Sequence, residues 1–163
     1  MPIGVVSLSE KFGGREITRV RYDEVVSWVR GEIARFGDPA GLREVFNQGE
    51  GHYLGTSGTV TSIAGVHLKL PRYRRDAVDG LWLTAVEVRS VTERLRAMDY
   101  DARISEPCIG AERADLVLAG CAILEAIRRA FPCERLRVAD RGLREGMLVQ
   151  MMRDDGMWFG AAS

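Results

Sequence analysis

Apolar side chains recur along the chain mostly at three- and four-residue intervals, so the pattern predicts helices separated by a few short strands. Tyr22, Val25, Val26, Val29 and Ile33 mark one face of a helix that Thr18 can cap and that reaches about Phe36. Asp38-Pro39 restarts a short helix up to Gly49, with Asp38 as N-cap and Pro39 in the first turn. Val60, Ile63, Ala64 and Leu68 carry a helical spacing from Thr59 to Leu70. Thr84 and Glu87 have the spacing of a capping box and open a helix to about Met98, with Val88, Val91 and Leu95 inward. The strongest helix runs from about Ala111 to Phe131, before Pro132. Leu116, Val117, Ala119, Gly120, Ile123, Leu124 and Ile127 make it apolar over a wide arc, so it is expected to lie deep. A last helix is expected from Gly142 to Met152, and the tail after Asp154 is expected to be loose.

Three segments read as strands: Pro2 to Leu8 around Val5-Val6, Gly51 to Leu54, and Arg135 to Ala139. Phe12-Gly13-Gly14 reads as the turn after the first, Pro71 to Leu83 as a polar connection, and Pro107 to Gly110 as a break. Strands alternating with helices indicate an α/β domain. Three strands are few for a sheet flanked by this many helices, so either further strands lie outside these segments or the sheet is incomplete.

Composition narrows the class. The 163 residues suit one domain with one core, and 46% hydrophobic with 28% charged residues is globular rather than disordered. Lysine plus arginine and aspartate plus glutamate each number 23, so the formal net charge is zero. That argues against general nucleic-acid binding while leaving room for a local basic site. No apolar run approaches a membrane span, and no basic-then-apolar leader opens the chain, so a cytoplasmic protein is expected. Cys108, Cys121 and Cys133 lack metal or redox spacing and read as reduced thiols, and two histidines, His52 and His67, make a histidine metal site improbable.

The chemistry concentrates at His52-Tyr53-Leu54-Gly55-Thr56-Ser57-Gly58-Thr59. An apolar segment enters a glycine- and hydroxyl-rich turn, and a helical pattern follows. A turn of this kind leaves backbone N–H groups without intrahelical partners at the positive end of the helix dipole, where a phosphate fits. Glycine allows close approach and the hydroxyls add donors. The same residues also suit an ordinary N-cap, and both readings stay open.

Several segments together resemble the exopolyphosphatase and guanosine pentaphosphate phosphatase family: Met1 to Leu8 followed by Phe12, Gly55-Thr56-Ser57-Gly58-Thr59, Glu112-Arg113-Ala114-Asp115 with Ala119 to Leu124, and Asp140-Arg141-Gly142-Leu143-Arg144-Glu145-Gly146. Their order resembles the second lobe of that family over residues 1–153, with 154–163 as a tail. The resemblance implies an α/β lobe of the ribonuclease H-like fold shared by actin, Hsp70 and sugar kinases, a few-stranded mixed sheet flanked by helices. It implies hydrolysis of terminal phosphoanhydrides of polyphosphate or guanosine pentaphosphate in a cleft between two lobes, with magnesium. The family's first-lobe phosphate loop, its water-activating glutamate and the hairpin opening its second lobe have no counterpart in this sequence. The chain therefore looks like a truncated second lobe, inactive alone and with an open sheet edge that invites dimerisation or strand pairing. A non-catalytic module that binds phosphate-rich ligands or self-associates is the alternative.

On this resemblance Gly55, Thr56, Ser57, Gly58 and Thr59 are the candidate phosphate-binding turn, joined by Arg144. No residue of this chain is assigned to catalysis or to a metal. Arg113, Arg141 and Glu145 are candidate structural or substrate contacts, and Arg144 can equally pair with Glu145 or Asp140. Arg72, Arg74 and Arg75 can guide an anionic polymer or form a solvated loop, Gly120 in mid-helix points to close packing, and Trp28, Trp82 and Trp158 are expected in a core or interface.

Overall fold

The computed structural model describes residues 3–13, 17, 19–38 and 41–157; the expectations placed on Thr18, Pro39 and Trp158 fall outside them. Ten helices and three strands are found among these residues: α1 (Val5–Phe12), α2 (Arg19–Phe36), α3 (Leu42–Asn47), β1 (Tyr53–Gly55), α4 (Gly58–His67), α5 (Arg75–Val78), β2 (Trp82–Thr84), α6 (Ala85–Ala97), α7 (Tyr100–Ser105), α8 (Ala111–Ala114), α9 (Val117–Ala130), β3 (Arg135–Val138) and α10 (Leu143–Asp154). None of the helices is long and apolar enough to cross a membrane.

The strands form one mixed sheet in the order β1-β3-β2. β1 runs parallel to β3, with Leu54 opposite Arg137, and β2 runs antiparallel to β3, with Trp82 opposite Arg137. Side chains alternate across a sheet. Leu83, Leu136 and Val138 are buried on the face toward the helices, whereas Leu54, Trp82, Arg135 and Arg137 are exposed on the other. Trp82 is therefore a surface residue, packed edge-on by His52 and flanked by the guanidinium groups of Arg135 and Arg137. Trp28 packs as expected, against Phe12.

The core is built largely where the apolar spacing placed it, except that α4 ends at His67 and leaves Leu68 exposed. Tyr22, Val25, Val26, Val29 and Ile33 of α2 are all buried, as are Val60, Ile63 and Ala64 of α4 and Val88, Val91 and Leu95 of α6. α2 and α9 form the principal helix pair. Cys108 and Cys121 are buried, Cys133 is half-buried, and all three are free thiols.

Four local expectations are corrected. The apolar start is a helix, not a strand: Val5, Leu8 and Phe12 fall on one face, and Ser7 closes the first turn by accepting from the Gly4 N–H (3.2 Å) and donating to the Gly4 carbonyl (3.0 Å). The chain leaves α1 at Gly13 with φ 74°, a left-handed conformation that glycine adopts freely. α3 begins at Leu42 behind Gly41, yet Asp38 still caps it, its carboxylate accepting from the Leu42 and Arg43 N–H groups at 2.8 and 2.9 Å. The long helix is two: α8 ends at Ala114 and α9 starts at Val117, and the Asp115 carbonyl between them accepts the Ser9 hydroxyl of α1 at 3.2 Å. The polar connection before Leu83 holds α5 and β2, and α7 is a further helix whose N-cap, Asp99, accepts from the Ala102 N–H at 2.7 Å.

Candidate phosphate site

β1 delivers the chain to the site. Its last residue, Gly55, pairs with Val138, and the Gly55 carbonyl accepts from the Ala139 N–H at 2.8 Å. A Cβ on Gly55 would stand 2.7 Å from Val60 and 3.1 Å from Leu136, so only glycine lets the turn fold back this tightly. Ser57 is then the N-cap of α4: its hydroxyl accepts from the Val60 N–H at 3.4 Å and its carbonyl from the Thr61 N–H at 3.1 Å. Among the described residues, the N–H groups of Thr56, Ser57, Gly58 and Thr59 have no protein acceptor. Four successive unsatisfied donors at a helix N-terminus, with Thr56, Ser57 and Gly58 exposed, make a concave positive end suited to an oxyanion.

The hydroxyls divide between two tasks. Thr59 turns its side chain into the protein, against Gly120 of α9, where a Cβ would come within 1.9 Å of its Oγ1. This is the close packing expected at Gly120. Thr61 bonds back to the Gly58 carbonyl at 3.1 Å. Thr56 and Ser57 keep their hydroxyls at the surface.

Three further segments converge on the turn. A Cβ built on Gly142 would lie 4.0 Å from the Thr56 carbonyl, so the loop from β3 to α10 abuts the turn. Glu145 closes that loop by accepting from the Gly142 N–H at 2.7 Å, which holds its carboxyl below the usual range. Glu145 is thus a capping residue, and Arg141 and Arg144 on the same segment are exposed and form no ion pair among the described residues. On the other side, Arg113 of α8 lies over Gly58, 3.4 Å from its carbonyl and 3.4 Å from the Ser62 hydroxyl. It lines a hollow of about 150 Å³ with Ser57, Gly58, Thr59 and Ser62. Asp115 faces Arg103 electrostatically.

The arginines of the polar connection separate. Arg74 pairs with Asp76, and Arg75 with Asp140 at 2.5 Å, while the Asp140 N–H bonds Asp79 at 3.0 Å. Burial and then the hydrogen bond to Asp140 push the Tyr73 hydroxyl up. Tyr73, Arg75 and Asp140 thus brace the start of the α10 loop, a contact across 65 positions that no local spacing announces. His67 lies 3.6 Å from Glu87, away from these residues. No group of three or more histidine, cysteine, aspartate or glutamate side chains converges among the described residues. Near the turn, the Asp140 carboxylate is engaged by Arg75 and the Glu145 carboxylate by the Gly142 N–H.

Comparison with known proteins adds an independent line. A model described as the Ppx/GppA phosphatase family matches residues 1–155. The Aquifex aeolicus member of the Ppx/GppA family superposes with a TM-score of 0.77 at 25% identity, over 95% of this chain and 48% of its own. The type II variant of the Aquifex aeolicus Ppx/GppA phosphatase gives 0.75 at 26% identity, over 93% and 48%. An exopolyphosphatase from Cytophaga hutchinsonii shares the fold at 16% identity, with a TM-score of 0.71 over 99% of this chain and 50% of its own. The chain therefore spans about half the length of these structures, in keeping with a single lobe. No curated protein matches it in sequence.

Proposed function

The chain belongs to the Ppx/GppA phosphatase family, and from that premise we propose that it is the phosphate-gripping half of a phosphoanhydride hydrolase, acting on the terminal phosphate of polyphosphate or guanosine pentaphosphate. One observation carries this reading: four consecutive N–H donors at Thr56–Thr59, without protein acceptors, held open beside Arg113 and the Arg141–Arg144 loop. The donors take the oxygens of a terminal phosphate, the α4 dipole and Arg144 offset its charge, and Gly55 fixes the turn. Among the described residues, the two carboxylates of the loop that abuts the turn are both engaged. Asp140 is held by Arg75 and Glu145 by the Gly142 N–H. The water-activating base must come from outside these residues, and the chain alone binds without turning over.

The test has two arms. Calorimetry with tripolyphosphate is expected to give a salt-sensitive complex, weakened about tenfold in Arg144→Gln through loss of one charged hydrogen bond. Phosphate release from polyphosphate or guanosine pentaphosphate, with magnesium present, is expected to stay at the uncatalysed rate. Robust turnover by the pure chain would overturn the half-site reading, and absence of binding would overturn the phosphate reading.

A further inference from the structure

We propose that the open face of the sheet carries a nucleotide site, in which the base stacks at Trp82 and the phosphate is held by Arg135 and Arg137. The site is separate from the turn at Thr56–Thr59, which lies past the end of β1. In β3 the run Arg135-Leu136-Arg137-Val138 alternates, so Leu136 and Val138 are buried toward the helices and both arginines stand exposed on the other face. A face that carries two guanidinium groups is not a core layer missing its cover, since burying an unpaired charge is costly. Its own residues make it a surface.

The register builds the platform. Trp82 of β2 stands directly opposite Arg137, and Thr84 opposite Arg135. Both guanidinium carbons lie 5.4 Å from the centre of the indole ring, and His52 meets that ring edge-on at 4.9 Å. These contacts fix the attitude of the ring, yet Trp82 stays 42% exposed. No residue of the three strands is acidic, and among the described residues neither arginine pairs with a carboxylate. Glu87, close to Thr84, is engaged by the Thr84 N–H and hydroxyl at 2.7 and 2.8 Å. One arginine over the ring would be an ordinary cation–π pair. Two without a counter-charge leave a local positive surplus on a chain whose formal net charge is zero.

Charge and shape select the occupant. The two guanidinium groups spring from alternate positions, about 7 Å apart along β3, and their planar forks match phosphate oxygens. The indole between them offers its surface to a flat ring. A nucleotide carries both an anion and a flat ring on one small molecule. Inorganic phosphate or an acidic side chain would leave the indole unused. A single strand of nucleic acid is held by successive stacking rings, whereas this face presents one indole. The fit is to a single nucleotide.

The experiment is an NMR titration of the whole chain with guanosine monophosphate, read at the Trp82 indole N–H and at the amides of Arg135 and Arg137. Saturable shifts at all three are expected, with guanosine and inorganic phosphate each binding at least about tenfold more weakly. Arg137→Gln is expected to weaken the nucleotide about tenfold and leave guanosine unchanged, through loss of a charged hydrogen bond. Trp82→Ala is expected to abolish saturation at the two arginine amides, and circular dichroism checks that both variants fold. Unmoved signals at about 10 mM nucleotide, inorganic phosphate matching the nucleotide, or a single-stranded RNA binding more tightly than the nucleotide overturns the proposal. Nucleotide shifts confined to Thr56–Thr59 overturn it as well. Tripolyphosphate titration of Trp82→Ala separates this site from the turn: retained shifts at Thr56–Thr59 keep the turn standing as an anion seat whatever the nucleotide does, because Trp82 lies outside it.

Discussion

Two glycines and a serine set the site at the scale of single residues. Gly55 allows the chain to fold back under Val60, Gly120 lets α9 approach Thr59, and Ser57 caps α4. Gly120→Ala is expected to destabilise the chain by about 1–2 kcal/mol in urea unfolding, because the overlap with Thr59 outweighs the ~1 kcal/mol of helix propensity gained. Pairing it with Thr59→Ala, which removes the hydroxyl that a Cβ on Gly120 would meet at 1.9 Å, is expected to recover part of that loss. The close approach was legible from Gly120 alone, since a mid-helix glycine asks for a reason; its partner was not, because Thr59 lies 61 positions away. The thiols give a second residue-scale expectation. Burial pushes the Cys121 thiol up to about 12, and burial also raises Cys108. A thiol reagent at pH 8 is therefore expected to modify half-buried Cys133 in the folded chain, and Cys108 and Cys121 only on unfolding.

Elements form where local rules agree, and the caps show it. Thr84 and Glu87 satisfy each other's turn at the head of α6, with the Glu87 carboxylate accepting from the Thr84 N–H at 2.7 Å. That bond lowers the Glu87 pKa, and the Gly142 N–H does the same for Glu145 on α10. A carboxyl whose folded pKa lies below its unfolded value stabilises above the unfolded value, about 4.3, and loses that contribution as pH falls through the folded one. Stability measured from pH 6 to pH 3 is expected to fall less steeply in Glu87→Gln than in the unaltered chain. The α6 box was legible because both partners lie within four positions. The strand expected at Val5-Val6 was not, because two β-branched residues outweighed a pattern that Gly4 and Ser7 resolve into a helix. β2 was hidden too, since only Leu83 of its three residues is buried and its pairing to β3 spans the fold.

On the scale of the whole molecule, the sheet is bordered by β1 on one side and β2 on the other, and the phosphate turn sits at the tip of β1. The sequence carried the shortage of strands and the motif at Gly55–Thr59. It did not carry the convergence of α8, the β3–α10 loop and that turn, which joins positions 55 and 86 apart. Nor did it separate the α9 residues that fill the core from Ile123, Leu124 and Ile127, which stay half-buried, because both share one apolar arc. If the turn is the anion seat, tripolyphosphate is expected to raise the thermal midpoint of the folded chain, less at high salt.

The most direct measurement is an amide-resolved NMR titration with tripolyphosphate. The account predicts saturable shifts at the N–H groups of Thr56, Ser57, Gly58 and Thr59, with smaller ones around Gly142 and Arg144. Shifts confined to other surfaces, with these four amides unmoved at saturating ligand, would contradict it.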